Sequence, residues 1–557
     1  MAPKIQLIMH ARRLIIIVAL TLFACLTAAF GAWLQTRNLL INHDLVWCLE
    51  IARVLTSGGR YLHEALEVNP PLFFLLISPF QWLATLLHLS DYAAVALWIN
   101  LLAVGAALVC WPPLRALIPN RALTMMALLG IAAVLMGHPG YHFGQREQLI
   151  ATLITPGLFW LPWRLHDPTP LTSTMRMAGA AVTVLAALGI LIKPHYLLMP
   201  LAALIATLIL RPEQRALRPL WLGWPGVMTV VCAAYGFLIT VFFPEYFQMV
   251  GVALDLYGGM DASANTLLSG PILSFVGYAA LLAFGVSIAT GWRAQYSLTA
   301  WSLWSACALG MAAFVLQGKG WAYHTLAATI CMDLLTGAAL IATLTTLRHN
   351  VKSGRTLVSA LIIGGALWAK PITGGWAEYL ALSPSDWRTH PGVRLLQVAA
   401  QGEGVMLVSN NPRPWTSQTD AAGSRLSQRG YLWMLAGALQ LMEQGDAVKG
   451  DYYAKRIRTY FAEDLRRFRP RVLIIGAGRD LQSYASFHGG FVAFLEQDPE
   501  VKALMRDYPP LRTLPNGAQI RLRRDALTSA PPQEPATPLI FRTLAPPPSQ
   551  ETVQHVR

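Results

Sequence analysis

Four short polar clusters interrupt an otherwise apolar chain, and their residue types point to one kind of chemistry. The first is Asn42-His43-Asp44, with Glu67-Val68-Asn69-Pro70-Pro71 further along. The second runs from His138 through His142 and Arg146 to Glu147, the third is Lys193-Pro194-His195-Tyr196, and the fourth runs from Gln317 through Lys319 to His324. Together they offer carboxylates at Asp44 and Glu147 and cations at Arg146, Lys193 and Lys319, with His195 and His324 joining when protonated. Such a set suits a reaction between an anionic, lipid-linked donor and a neutral hydroxyl. A carboxylate takes the acceptor proton as general base. The cations hold the donor phosphate and stabilise it as it leaves. On this reading Asp44 is the base and Glu147 assists. Arg146, Lys319, His324 and Lys193 meet the phosphate, and His43, Glu67, Asn69 and His142 line the substrate. Glycines on both sides of Lys319 allow close backbone approach to an anion.

Each residue taken alone has a plainer explanation. A single acidic residue in a loop is usually a solvated charge, and neighbours such as Arg146-Glu147 are more often structural. A lysine at a helix end, such as Lys193, usually snorkels. Gln317-Gly318-Lys319-Gly320 lacks the spacing of a nucleotide phosphate loop. Gly476-Ala477-Gly478 follows a strand-like run, but Leu481 stands where a dinucleotide fingerprint needs its third glycine, so an ordinary strand-end turn is expected there. The clusters gain weight only if the chain brings them to one side of a membrane.

A membrane is what the composition demands. Of 557 residues, 55% are hydrophobic and 13% charged, with a mean hydropathy of +0.45. Soluble domains carry about 25% charged residues. Repeated apolar runs of about 20 residues indicate a bundle of spanning helices, since only helices or closed barrels satisfy the backbone in lipid. The net charge of +14 then reads as basic cytoplasmic loops and a basic tail domain rather than a nucleic-acid surface. Six scattered cysteines show no metal-ligand spacing and read as small core residues.

Lys4, Arg12 and Arg13 precede an apolar run from Leu14 to Trp33, which reads as an uncleaved anchor with a cytoplasmic N-terminus. The next choice fixes the topology. If residues 70–89 crossed, the arginine-rich loops would face outward, against the positive-inside rule. If they form a helix that lies at the interface or re-enters, Arg115, Arg121, Arg164, Arg176, Arg211, Arg215, Arg218, Arg293, Arg348, Lys352 and Arg355 all fall inside. The expected spans are then the anchor and those near 92–112, 122–137, 148–163, 177–192, 195–210, 221–243, 268–290, 296–316, 321–346 and 356–374, eleven in all. The first outer loop covers 34–91, a long loop without Lys or Arg covers 244–266, and the four polar clusters share the outer face. Ionisable groups at membrane depth mark a substrate path by default.

The expected architecture is thus a polytopic α-helical membrane domain over 1–378, a small periplasmic α/β domain over 379–527 and a disordered Pro-rich tail over 528–557. Within the second, residues 404–410 and 471–478 read as strands and residues 431–444 and 452–468 as helices. There is no internal repeat.

An acidic residue after the first span, followed by Gly58-Gly59-Arg60-Tyr61-Leu62-His63-Glu64-Ala65-Leu66-Glu67-Val68-Asn69-Pro70-Pro71-Leu72, resembles the GT-C superfamily of membrane glycosyltransferases. The protein O-mannosyltransferase and aminoarabinose transferase type is the nearest in pattern. The resemblance implies a polyprenyl-phosphate-linked sugar as donor, a glycolipid, polysaccharide or protein acceptor, and transfer on the periplasmic face of a bacterial inner membrane. It implies the base or acceptor-binding role for Asp44, matches Glu147 by placement to a second acidic position, and includes a non-spanning helix before the second span. Phe143–Glu147, Gln317–His324 and Gly423–Leu435 look like features of a bacterial subgroup. The chain departs from the pattern where many relatives carry a lysine before the Pro-Pro pair. Val68-Asn69 stand there, which moves phosphate contact to Lys319 or Arg146. Some members use a divalent cation, for which His43, Asp44, His142 and Glu147 are the available ligands; no cofactor is otherwise implied. The competing readings are a transporter or flippase of lipid-linked sugars, which predicts inverted repeats around midplane sites, and a glycan polymerase or ligase that needs loop 244–267 but not Asp44.

Overall fold

The computed structural model describes residues 3–38, 40–167, 169–210, 218–268, 270–290, 294–349, 374–380, 389–410 and 412–528. The chain divides into two compact units, Met1–Pro384 with Arg429–Leu441, and Ser385–Gln428 with Met442–Arg557.

The first unit is helical. It opens with α1 (Pro3–Asn38), α2 (His43–Thr56), α3 (Leu72–Leu87), α4 (Asp91–Val109), α5 (Trp111–Leu117), α6 (Arg121–Gly137), α7 (Arg146–His166) and α8 (Ser173–Ile192). It continues with α9 (Leu198–Leu210), α10 (Arg218–Phe242), α11 (Glu245–Leu256), α12 (Ala264–Leu267), α13 (Gly270–Ala289), α14 (Ala294–Gln317) and α15 (Leu326–His349). Polar side chains start many of these helices. Asn42, Ser90, Asn120 and Thr172 each accept a backbone N–H in the first turn of α2, α4, α6 and α8. Apolar side chains of α1, including Leu22, Leu26 and Phe30, point outward, whereas Gln35 and Asn100 hydrogen-bond each other at 2.7 Å in the interior. Such interior polar pairs knit helices together where lipid gives no hydrophobic drive.

Among the described residues, Asp91–Leu117, Ser173–Ile192, Tyr296–Gln317 and Ala322–Leu344 are long and apolar enough to cross a membrane. A fifth span results if Gly226–Phe242 and Glu245–Met260, bent by 95°, count as one. Two further apolar helices, Leu72–Leu87 and Arg121–Gly137, are shorter, with 16 and 17 residues. The region expected to span at 356–374 lies almost wholly outside the described residues, as does the tail beyond Thr528. One expectation is corrected. Residues 244–266, read as a loop, are mostly helical, because Glu245–Leu256 alternates apolar and polar residues at helical spacing and continues into a 3-10 turn at Tyr257–Met260. The topology-deciding segment forms α3, whose 16 residues reach about 24 Å, short of the ~30 Å hydrocarbon core. Its Gln81 side chain donates to the Leu49 carbonyl and the Asp91 carboxylate, both at 3.0 Å, which ties α3 to α2 and to the start of α4.

The second unit holds a five-stranded sheet in the order β2-β1-β3-β5-β4, with β1 Gly404–Val408, β2 Arg425–Leu426, β3 Val472–Ile475, β4 Pro510–Thr513 and β5 Gln519–Leu522. β2, β1 and β3 run parallel; β3, β5 and β4 are antiparallel. Val405, Leu407, Val472, Ile474 and Ile520 form its core. The apolar runs of β1 and β3 are legible in the sequence. β4 and β5 alternate with arginines and are not. All six cysteines are free thiols, and Cys25 is exposed rather than a core residue.

Candidate active site

The site is built where α2, α7 and α8 end against the turns between helices. Asn42 caps α2 and places Asp44 in its first turn, while the Asn42 carboxamide donates to the Tyr141 carbonyl at 3.2 Å. The turn around Gly140 and Gly144, both at positive φ, brings Gln145 back to donate to Asn42 Oδ1 at 2.9 Å and to Asp44 Oδ2 at 3.1 Å. His43 Nε2 lies 3.1 Å from Asp44 Oδ1. The Asp44 side chain is about a quarter exposed (24%), so it is oriented by two neighbours, His43 and Gln145, and still reachable. Burial acts to raise its pKa, but the charges of His43 and Arg146 and the hydrogen bonds from His43 and Gln145 outweigh that. The carboxyl is held well below the usual range.

Behind Asp44 lies a buried set of opposite charges. Lys193 Nζ meets Glu147 Oε1 at 2.5 Å and Gln317 Oε1 at 3.1 Å. Glu147 is fully buried, and His324 Nε2 stands 3.9 Å from it, beyond hydrogen-bond reach. Burial pushes the Lys193 ammonium below the usual lysine range against the pull of Glu147. Tyr196 joins α9's approach to this set, donating to the His324 carbonyl at 2.9 Å and accepting from Gln317 at 3.3 Å. His195 packs on the Tyr196 ring at 4.8 Å.

Arg146 is also buried, but it is matched differently. Its nearest carboxylate, Glu67, is 4.0 Å away, and its Nε makes no hydrogen bond among the described residues. Glu67 accepts from the Trp47 indole at 2.8 Å and from the backbone and side chain of Asn69. A buried cation without full partners is costly, and an open donor of this kind is where an anion gains most. His142 sits by the rings of Tyr141 and Tyr323, 5.5 and 6.2 Å between centroids.

The fold therefore gathers Asp44, His43, Arg146, Glu147, Lys193, His324, Glu67, Asn69 and His142 in one unit. Lys319 is there too, but it is answered by Asp261, by the Tyr257 carbonyl at 2.6 Å and by the Tyr257 ring at 4.2 Å. Sequence reasoning missed Asp261, which lies in a segment singled out only for lacking basic residues. It also gave no role to Gln145 or Trp47, whose neutral side chains carry no pattern until the fold sets them against Asp44 and Glu67. Among the described residues no three His, Cys, Asp or Glu side chains are grouped to hold a metal. Of the four ligands considered, Glu147 is paired with Lys193 and Asp44 with His43 and Gln145, so the set does not fit a divalent cation.

No protein-family model matches this chain, and no curated protein does. Solved structures do. ArnT from Cupriavidus metallidurans bound to undecaprenyl phosphate superposes with a TM-score of 0.51 at 12% identity, covering 91% of this chain and 97% of that one. Its apo state gives 0.51 at 13% identity, covering 94% and 100%. The likeness extends over almost the whole of both chains, and by it this chain carries the fold of these ArnT structures.

Proposed function

We propose that this chain is an integral membrane glycosyltransferase that moves a sugar from a polyprenyl-phosphate carrier to a hydroxyl of a glycolipid, polysaccharide or protein acceptor. The observation that carries the reading is Arg146: a buried guanidinium whose Nε has no hydrogen-bond partner among the described residues, in the same cluster as a reachable, ionised Asp44. The undecaprenyl phosphate bound in the ArnT structure supports a donor of that class.

The acceptor hydroxyl oxygen attacks the anomeric carbon while the bond from that carbon to the phosphate oxygen breaks. The electron pair of that bond leaves with the polyprenyl phosphate, and the hydroxyl proton passes to Asp44. Because Asp44 is a weak base, the proton moves late, once bonding to the sugar has made the hydroxyl acidic. Arg146 meets the phosphate as it gains charge, and Lys193, held by Glu147, adds positive field. His43 and Gln145 orient Asp44. His142 and Asn69 border the acceptor side, and His324 backs the phosphate side. Lys319 joins the phosphate only where the donor displaces Asp261.

The same reading places the site on the periplasmic face of a bacterial inner membrane, with eleven spans, a membrane domain over 1–378, a periplasmic domain over 379–527 and a tail over 528–557. Reporter fusions within 70–89 and at 380 test that topology; a cytoplasmic signal at 380 overturns it. The catalytic test is Asp44→Asn, correctly inserted and assayed with a polyprenyl-phosphate sugar. Transfer is expected to fall by about 10²–10⁴, and undiminished transfer would falsify the assignment.

A further inference from the structure

Glu67 and Arg146 are both buried and face each other, yet they stop at 4.0 Å instead of closing into a two-bond pair. The carboxylate is already engaged. Oε2 accepts the Trp47 indole N–H at 2.8 Å, and Oε1 accepts the Asn69 backbone N–H at 2.9 Å together with the Asn69 side chain. The indole is in turn fixed by a segment far along the chain that belongs to the same compact unit, Arg429–Leu441. The Leu66 N–H donates to the Arg429 carbonyl at 3.2 Å, the Arg429 guanidinium to the His63 carbonyl at 3.1 Å, and the Trp433 indole to the Leu66 carbonyl at 3.0 Å. Between these anchors Gly430 has φ +79°, and a Cβ there would stand 2.2 Å from the Trp47 ring. Only glycine lets this strap lie against the indole.

We propose that Trp47, wedged by Gly430, is a positioning residue that keeps Glu67 turned away from Arg146 and so keeps the guanidinium open to the donor phosphate. The proposal rests on the reading of Arg146 given above. Hydrogen bonds to a carboxylate disperse its charge, and a buried oxygen that loses its donor seeks the nearest cation. Here that cation is Arg146. An arginine locked in a two-bond carboxylate pair competes with the same geometry a phosphate needs.

The test uses the full chain in lipid nanodiscs. Trp47→Phe keeps the ring and removes only the N–H. It is expected to raise the donor KM by about tenfold, the effect of one hydrogen bond to a charged group, with kcat little changed. Gly430→Ala, which displaces the same indole, shifts KM in the same direction. Adding Glu67→Gln to Trp47→Phe should bring the donor KM back toward the parent value, because an amide cannot lock the guanidinium. Packing damage alone would not be rescued in this way. Hydrogen exchange gives a readout free of activity: the Asn69 amide, which now donates to Glu67, should exchange faster in Trp47→Phe. Unchanged exchange at Asn69, or no rescue by Glu67→Gln, overturns the proposal. A parent that transfers from no polyprenyl-phosphate donor sinks the donor reading instead, and the Asn69 exchange then decides the position of Glu67 by itself.

Discussion

Arg146 and Lys319 are both cations buried in the same unit, and the sequence offers both to the same phosphate. Their surroundings differ in one respect. Lys319, 4% exposed, is met by the carboxylate of Asp261, a backbone carbonyl and an aromatic face. Arg146 has a carboxylate at 4.0 Å whose oxygens are spent on Trp47 and Asn69, and an Nε with nothing to donate to among the described residues. A cation's capacity for a ligand depends on how much of its charge the protein has already matched. By that measure Arg146 is the anion site and Lys319 is part of the wall, its partner Asp261 (53% exposed) being the piece that an incoming phosphate would have to replace.

The sharpest way to break this comparison is at the third cation, Lys193, which is matched fully by Glu147. Glu147→Gln leaves the ammonium buried without its charge partner and should cost about 3–5 kcal/mol, read as a lower midpoint of thermal unfolding in detergent. Adding Lys193→Met should return part of that loss; additive losses would mean the pair is not a unit. Next comes Arg146→Ala, expected to lower transfer by about 10²–10³, and Arg146→Lys, which restores charge without the fork and should recover only part. A parental rate in Arg146→Ala would remove the contrast altogether. Lys319→Met is expected to cost about 1 kcal/mol of stability and to change transfer less than tenfold, since Asp261 is half exposed and can rehydrate. A loss equal to that of Arg146→Ala would put the phosphate at Lys319.

The smallest effect concerns pH. The folded pKa of Asp44 is depressed, so its ion pairs stabilise the fold above the unfolded carboxylate value of about 3.9. That contribution is lost only as pH falls further, through the depressed folded value. Between pH 7 and pH 5 Asp44 therefore takes up no proton itself, and the stability difference between parent and Asp44→Asn should persist over that range. A difference that vanishes between pH 7 and pH 5 would show that His43 and Arg146 do not hold the carboxylate as described.

The chemistry-bearing clusters were legible because lipid makes polar residues conspicuous: Asp44, Arg146, Glu147, Lys193 and Lys319 stand out against apolar runs. The same contrast hid the supporting residues. Gln145, Trp47 and Gly430 are ordinary in type, and their roles come from partners up to several hundred positions away. The apolar runs read near 92–112, 122–137 and 177–192 do lie in helices, whereas 244–266, which has no apolar run of spanning length by itself, was not legible as helix.

Composition by itself thus determined that this chain is a bundle of apolar helices interrupted by carboxylates and cations, because the solvent on each side of a membrane boundary selects residues by type. Tertiary structure alone decided which charge answers which. Charge pairing depends on angstrom distances and on competing hydrogen bonds, and neither is written in spacing. Asp44 was conspicuous from the start, but the openness of Arg146 beside it exists only because Trp47 and Asn69 occupy Glu67.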